Sequence, residues 1–429
     1  MNNGPASSPK WVYDSPVLSD VEAKLRRFLI DSANDGLIIG IQVCAYKDGK
    51  VIIDTAAGVL GKDDPRPVQP DSLFPVFSAT KGVTAGMVHW LADKGKLKLD
   101  ENVANLWPEF GNNGKDQIKV NHVLNHTAGL HNALADLTKD PTLLCDWDGC
   151  LKLIVMVTPE TEPGRQQMYH GQSYGWLCGG IIEHASGKKF RDILEDAFVR
   201  PLNVEGEFYI GIPHGVESRF ATVTIDPSDL NKVSNYLTAL ATSPTPVLPS
   251  SFTVEEIERI ILSANELNIR RAILPFGNGH FSARALARFY AALVDGGVVP
   301  LPHPSTTTKT KQKVDTSDDV DSKIFTKAKV NMHDAFLGSG DYKDLTLPNG
   351  KFGLGFGRFN ATDGSVIGFG HAGFGGSVGY GDINNRFAIA VTLNKLSMGT
   401  LTGEIIRFLC LELNLPVPAD YAGSTARVN

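Results

Sequence analysis

Cysteine is scarce in this 429-residue chain: five residues, at 44, 145, 150, 178 and 410, an odd number scattered along the whole length. That usage excludes a disulfide framework and fits reduced thiols in an intracellular protein. Cys145 and Cys150 lack the CxxC spacing of a zinc site and read as ordinary packing residues. No apolar run approaches the ~18 residues that a membrane span needs. There is no basic stripe either. Lys and Arg number 41 against 47 Asp and Glu, a net charge of −6, which argues against a nucleic-acid partner. The first residues, MNNGPASSPKWVYDSP, hold neither a charged leader nor an apolar core of the secretory kind, and the last, ARVN, match no address signal. A cytoplasmic location is therefore expected. P-loops are absent, and the glycines of GLGFG and GHAGFGG do not follow a strand and open a helix as a dinucleotide fold requires. No GxSxG corner occurs, because Gly376-Ser377 belongs to a glycine-rich hairpin.

What is present is ordinary globular composition, 42% hydrophobic, 21% charged and 8% aromatic. Length alone suggests roughly two or three domains. Ser19-Asp20-Val21-Glu22 is a capping box, with Val21, Leu25, Phe28 and Leu29 at helical spacing behind it. GLIIGIQVCAYKDGKVIIDTAAG then reads as two strands joined through Asp48-Gly49. GSVGYGDINNRFAIAVTLN reads as a second hairpin turning at Asn384-Asn385, followed by a helical pattern carrying Ile405, Phe408 and Leu409. The segment from His303 to Lys323 is polar and nearly free of large apolar groups. It buries too little to offset its ordering entropy and reads as a flexible insertion. No internal repeat is evident.

A serine three places before a lysine occurs three times: Ser7-Lys10, Ser78-Lys81 and Ser186-Lys189. The first contains a proline in a polar leader, and the third sits in HASGKKF, where glycine breaks the helix. Only Ser78, in FSATKGVTAGMVHW, opens a helical pattern, with Val83, Met87, Trp90 and Leu91 forming an apolar stripe. That spacing sets Ser78 and Lys81 on one face, a turn apart. A lysine serves as base only if burial and the helix's positive end disfavour its ammonium form. The bland alternative is a serine that caps the helix beside a surface lysine.

The surrounding blocks resemble the serine β-lactamase and penicillin-binding-protein superfamily, particularly its class C-like branch and related esterases, whose SxxK signature is well known. The resemblance runs from about residue 20 to about 412, through FPVFSATKGVTAGMVHWLADKGKLKLDENVANLWPEF, IKVNHVLNHTAGL, MYHGQSYGWLCGGIIEHASGKKF, NGHFSARALARFYAALVDGG, FGLGFG and FGHAGFGGSVGYGD. It implies that Ser78 is the acylated nucleophile and Lys81 its proton partner. Tyr169 shares the proton transfer, its phenol ionising more easily beside an ammonium. His371-Ala372-Gly373 takes the place of the family's Lys-Thr/Ser-Gly strand. Gly373 there would let the substrate approach the backbone, and the Phe374 N–H would join that of Ser78 as an oxyanion donor.

Two departures stand out. Tyr-Ser/Ala-Asn becomes Tyr169-His170-Gly171, which removes an amide that contacts antibiotic side chains and leaves His170 beside the substrate. The strand lysine becomes His371, a group mostly neutral at pH 7. Both losses point away from penicillin-like substrates and toward carboxylesterase chemistry on a small acyl compound. A β-lactamase, D-peptidase or transacylase with the same centre, or an idle binding or assembly protein on this scaffold, is the alternative. His122 and His126 stand at i, i+4, but HExxH has valine for glutamate here, so packing and turn roles are expected. No metal, cofactor or membrane span is expected, and the oligomeric state stays open. The fold implied is α+β and β-lactamase/transpeptidase-like: an antiparallel sheet flanked by helices, plus a mainly helical lobe. A leader at 1–18 precedes one catalytic unit at 19–415. Its sheet lobe comes from 19–100 and 346–415, its helical lobe is 101–345 with the insertion at 303–323, and a tail covers 416–429.

Overall fold

In a computed structural model that describes residues 11–241, 248–304 and 322–423, the first helix forms where the capping box places it. Ser19 accepts the Glu22 N–H at 3.1 Å and caps α1 (Asp20–Asn34). Glu22 does more than close the box. Its buried carboxylate takes the N–H groups of Leu18 and Asp54 and the hydroxyl of Thr55, with Arg26 beside it. A carboxylate so fully engaged tolerates burial, and it ties the helix start to the strand behind.

β1 (Gly40–Lys47) and β2 (Lys50–Gly61) turn through Asp48 and Gly49, both left-handed at φ 53° and 75°, as a two-residue hairpin requires. After β3 (Asp64–Pro67) and the short β4 (Phe74–Pro75) comes α2 (Thr80–Asp93). The middle of the chain supplies α3 (Trp147–Met156), α4 (Ser173–Ser186), β5 (Phe208–Ile210), β6 (Thr224–Ile225), α5 (Val254–Ser263), α6 (Leu267–Arg271), β7 (Gly279–Phe281) and α7 (Ala283–Val294). Then follow β8 (Gly357–Asn360), β9 (Val366–Ala372), β10 (Val378–Asp382), β11 (Phe387–Leu393), β12 (Lys395–Leu396), α8 (Thr400–Glu412) and α9 (Ala419–Ala422).

Seven strands form one antiparallel sheet in the order β3-β2-β1-β11-β10-β9-β8. The two ends of the chain meet at its centre, where Ile41 pairs with Leu393 and Lys47 with Phe387. A smaller sheet, β4-β7-β5, lies at the junction with the helical region, and β6 pairs with β12 in parallel. Side-chain alternation gives each face its own core. Val43 and Ala45 point to Leu25, Leu29, Ile405 and Leu409, whereas Cys44 and Tyr46 belong to the core containing Leu286, Phe289 and Tyr290 of α7. Each large apolar side chain so buried contributes about 1.5–3 kcal/mol. The α+β arrangement read from the sequence is the one observed.

Several details differ from the sequence reading. The helix α7 is expected in the helical lobe, but it packs across β1, β10 and β11. Its alanines at 283, 285, 287, 291 and 292 let it lie close to the strands. The second hairpin turns at Asn384-Asn385 as expected, but within a longer loop, 383–386: its left-handed residue is Arg386, and Asp382 holds the loop by accepting from the backbone and side-chain N–H of Asn385 at 3.0 and 2.9 Å. The expected leader and tail carry structure at their inner ends. Val12 bridges to Ala57, and the Tyr421 ring lies 6.2 Å from that of Phe359. Most of the expected insertion, 305–321, lies outside the described residues. Among the described residues no helix is long and apolar enough to cross a membrane.

Candidate active site

Ser78 owes its position to backbone strain one residue earlier. Phe77 sits at φ 48°, a left-handed conformation that costs a bulky residue free energy. The turn is pinned by Thr80, whose hydroxyl donates to the Phe77 carbonyl at 2.6 Å and accepts the Gly279 N–H at 2.8 Å. Val76 adds a bond from its N–H to the Gly279 carbonyl at 2.9 Å. The chain is thus bent out of β4 and into α2 with Ser78 at the bend.

The bland reading of this serine fails on two counts. Ala79, not Ser78, is the cap residue of α2, and no side chain caps that helix. Lys81 is not on the surface but fully buried. Its Nζ donates to Ser78 Oγ at 3.1 Å and to the Phe276 carbonyl at 2.8 Å. Burial holds its pKa well below the ordinary lysine value, opposed only by Cys178. Burial raises that thiol to about 12, so it stays neutral. Burial thus favours the free-base form of the amine next to Ser78.

Tyr169 reaches the same point from the loop before α4. The Lys81 Nζ lies 4.9 Å from its ring centroid. Burial pushes the phenol pKa up, and contact with Ser78 pulls it down without overcoming burial. Burial thus works against the ionisation that a neighbouring ammonium is expected to ease. It favours the uncharged forms of both the amine and the phenol beside the Ser78 hydroxyl.

The loop holding Tyr169 rests on a residue whose role the sequence does not disclose. His126 is left-handed at φ 62°, its carbonyl accepts the Met168 N–H at 2.9 Å, and its Nδ1 accepts the His170 N–H at 3.0 Å. Its ring stands 4.8 Å from that of Tyr169. His122, its supposed partner, instead accepts the Lys119 N–H at the start of its own helix. His170 is corrected too. Both of its nitrogens are engaged by backbone, Nδ1 with the Met168 carbonyl at 2.7 Å and Nε2 with the Leu130 N–H at 3.0 Å. It braces the loop and has no free nitrogen for substrate.

On the opposite wall, His371 donates from Nδ1 to the Ala372 carbonyl at 2.9 Å, which leaves Nε2 buried without a partner. Burial brings its pKa to about 3, so it is neutral. Gly373 is glycine for a different reason than expected. A Cβ there would collide with the Val76 carbonyl oxygen and lie 3.2 Å from the Ala79 nitrogen. The strand end packs backbone to backbone against the Ser78 turn, and that contact by itself excludes a side chain. The N–H groups of Ser78 and Phe374 have no acceptor among the described residues.

Two chambers open from this point. One runs past Ser78 between apolar walls that include Leu274, Phe276, Ile257 and Ile261. The other is lined by the glycine turn from Gly373 to Gly376 and by Tyr236 and Met398. Phe374 and Phe252 line both. Gly171 makes room for Phe252, whose Cε2 would lie 3.0 Å from a Cβ at that position.

Comparison with known proteins places this geometry. Over 358 residues the chain is 28% identical to Esterase/beta-lactamase LipL of Mycobacterium tuberculosis, covering 83% of this chain and 77% of that one. A family VIII carboxylesterase superposes with a TM-score of 0.68 at 23% identity, covering 90% of this chain and 94% of the other. A penicillin-binding-protein homologue from Caulobacter crescentus gives a TM-score of 0.67 at 27% identity with the same coverage. The fold is β-lactamase/transpeptidase-like. Residues 25–406 match the family model described as Beta-lactamase, and the chain belongs to that family.

Proposed function

We propose that this protein is a serine hydrolase of carboxylesterase type that cleaves small acyl esters through an acyl-enzyme at Ser78. The observation that carries the reading is the 3.1 Å contact between Ser78 Oγ and a buried lysine that has no carboxylate partner among the described residues. Neutral Lys81 takes the Ser78 proton as Oγ attacks the acyl carbonyl. The developing oxyanion is received by the N–H groups of Ser78 and Phe374. As the carbon–oxygen bond of the ester breaks, the Tyr169 phenol gives its proton to the leaving alkoxide and recovers one from the Lys81 ammonium. Water then attacks the acyl-enzyme and passes its proton back through the same pair. The free acid leaves, and Ser78 and Lys81 return to their starting states.

Esterase chemistry is favoured over β-lactam hydrolysis by two features of this chain. His371, neutral where the family has a lysine, offers no cation to a substrate carboxylate beside the strand. The chamber beyond Ser78 is mostly apolar. LipL, described as both esterase and β-lactamase, fits either activity for a relative of this kind. The test is a direct comparison of short-chain p-nitrophenyl esters with a chromogenic cephalosporin, using Ser78→Ala as control. The esters should be turned over faster, and the control should be inactive yet folded. Faster cephalosporin turnover would make the protein a β-lactamase first. Ester turnover retained in Ser78→Ala would remove Ser78 from the chemistry.

A further inference from the structure

The apolar chamber beyond Ser78 has a charged group among its lining residues that the hydrolytic scheme does not use. Arg270, on α6, is only 3% exposed and lines the chamber together with His280 of β7. One nitrogen of its guanidinium, Nη2, donates to the Ala221 carbonyl at 3.1 Å and to Asn265 Oδ1 at 3.0 Å. Both acceptors are neutral. Its Nε and Nη1 are buried with no partner, and no carboxylate pairs with it among the described residues. His280 is 1% exposed, its Nδ1 is engaged by the Asn278 carbonyl at 2.8 Å, and its Nε2 is likewise unpartnered. Both side chains pack on Phe220, the guanidinium carbon 5.0 Å from its ring centroid and the His280 centroid 5.6 Å away.

A buried cation with two unused donors is costly, since each unsatisfied polar group loses its water for nothing. Three other arginines provide the contrast. Buried Arg288 donates to three carbonyls, half-buried Arg284 forms an ion pair with Glu207, and half-buried Arg358 donates from every guanidinium nitrogen. Arg270 alone of these four leaves donors idle, and it is the one that lines a chamber opening at Ser78.

We propose that this chamber binds the acyl arm of the substrate and that the arm ends in a carboxylate held by Arg270. This rests on the hydrolase reading and adds the class of substrate: an ester of a short dicarboxylic acid, with methylenes against Leu274, Phe276 and Ile261. A carboxylate on Nε and Nη1 completes the planar, two-pronged recognition for which guanidinium is suited. The family's cation beside the strand is missing here, and the charge that selects an anionic substrate sits instead in the acyl chamber.

The experiment compares p-nitrophenyl monoesters of succinic, glutaric, adipic and suberic acids with p-nitrophenyl esters of unbranched monocarboxylic acids of equal carbon number. At the fitting length, kcat/KM for the carboxylate-ended ester exceeds that of its neutral partner by roughly tenfold or more. Arg270→Gln loses that preference, and Arg270→Lys keeps part of it. A wild-type enzyme that hydrolyses the neutral ester faster at every length refutes the anion subsite and leaves the hydrolase reading intact. Binding to Ser78→Ala, measured by calorimetry with the monomethyl esters of the dicarboxylic acids and the methyl esters of the monocarboxylic acids, decides the matter without turnover. Tighter binding of a carboxylate-ended ester by roughly tenfold supports the subsite even if no ester is cleaved. Equal or weaker binding at all lengths overturns it. Both comparisons use proteins with Arg270 intact, so misfolding of an Arg270 variant leaves the result standing.

Discussion

Gly373 and Val76 meet backbone to backbone: a single Cβ on the glycine would run into the Val76 carbonyl oxygen. This contact locks the end of β9 against the turn that carries Ser78, and it sets the Phe374 N–H relative to the Ser78 N–H. Gly373→Ala must push the two apart. The expected result is a loss of roughly 10²–10³ in kcat, the scale of one lost oxyanion donor, with destabilisation of about 1–3 kcal/mol from overpacking. Ester kinetics and denaturant titration check both. Wild-type kcat in a folded Gly373→Ala would mean that this contact does not set the oxyanion donors.

The lowered pKa of Lys81 has a signature in stability. In the unfolded chain the lysine binds a proton below about pH 10.4, whereas in the folded protein its pKa lies well below that value. Between the two pKa values the unfolded state holds one more proton, so wild-type stability rises with pH by at most about 1.4 kcal/mol per unit. The penalty vanishes above the unfolded value and is complete below the folded one. Lys81→Met lacks this term. Its stability relative to wild type should therefore be greater at pH 7.5 than at pH 10, as read by urea titration at each pH. A difference independent of pH would mean that Lys81 is charged in the folded protein.

For catalysis the same pKa gives an acid limb. Activity falls as pH drops through the lowered Lys81 pKa, because the protonated amine cannot accept the Ser78 proton. His371, at about 3, adds no step in the neutral range. Tyr169→Phe should lower kcat by roughly 10²–10⁴ while leaving that acid limb in place. Loss of the limb with the phenol would reassign the base to Tyr169.

His371→Lys returns a cation to the strand beside β10. With an amine already buried in Lys81, a second one costs stability, about 1–3 kcal/mol. It should raise cephalosporin turnover relative to neutral ester turnover by roughly tenfold, through pairing with the substrate carboxylate. An unchanged ratio would show that this position does not select substrates.

Much of this is legible in the sequence because some residue types admit few local structures. Asp48-Gly49 fixes a left-handed turn, Ser19 with Glu22 fixes a helix start, and Ser78 with Lys81 at helical spacing fixes a pair on one face. The rest depends on contacts that no local pattern encodes. Phenylalanine gives no sign of a positive φ, so the strain at Phe77 is invisible, as is the role of Thr80 in holding it. His126 lies inside the NHVLNHTAGL stretch, yet only the chain path from Met168 to His170 shows what it supports. Arg270 in NIRRA looks like a surface residue, and its neutral partners, Ala221 and Asn265, reveal otherwise. His170 falls on the expected loop and Gly373 at the end of the expected strand, but each serves the protein's own backbone.

Activation of Ser78 by a neutral buried amine is tested most sharply by fluorophosphonate labelling, with its rate and site read by adduct mass on peptides. A single adduct is expected on the peptide containing Ser78 and none on that peptide in Ser78→Ala. Labelling should slow as pH falls and slow further in Lys81→Met. Ser78 labelled equally fast in folded Lys81→Met, or not labelled in folded wild-type protein, would contradict this mechanism.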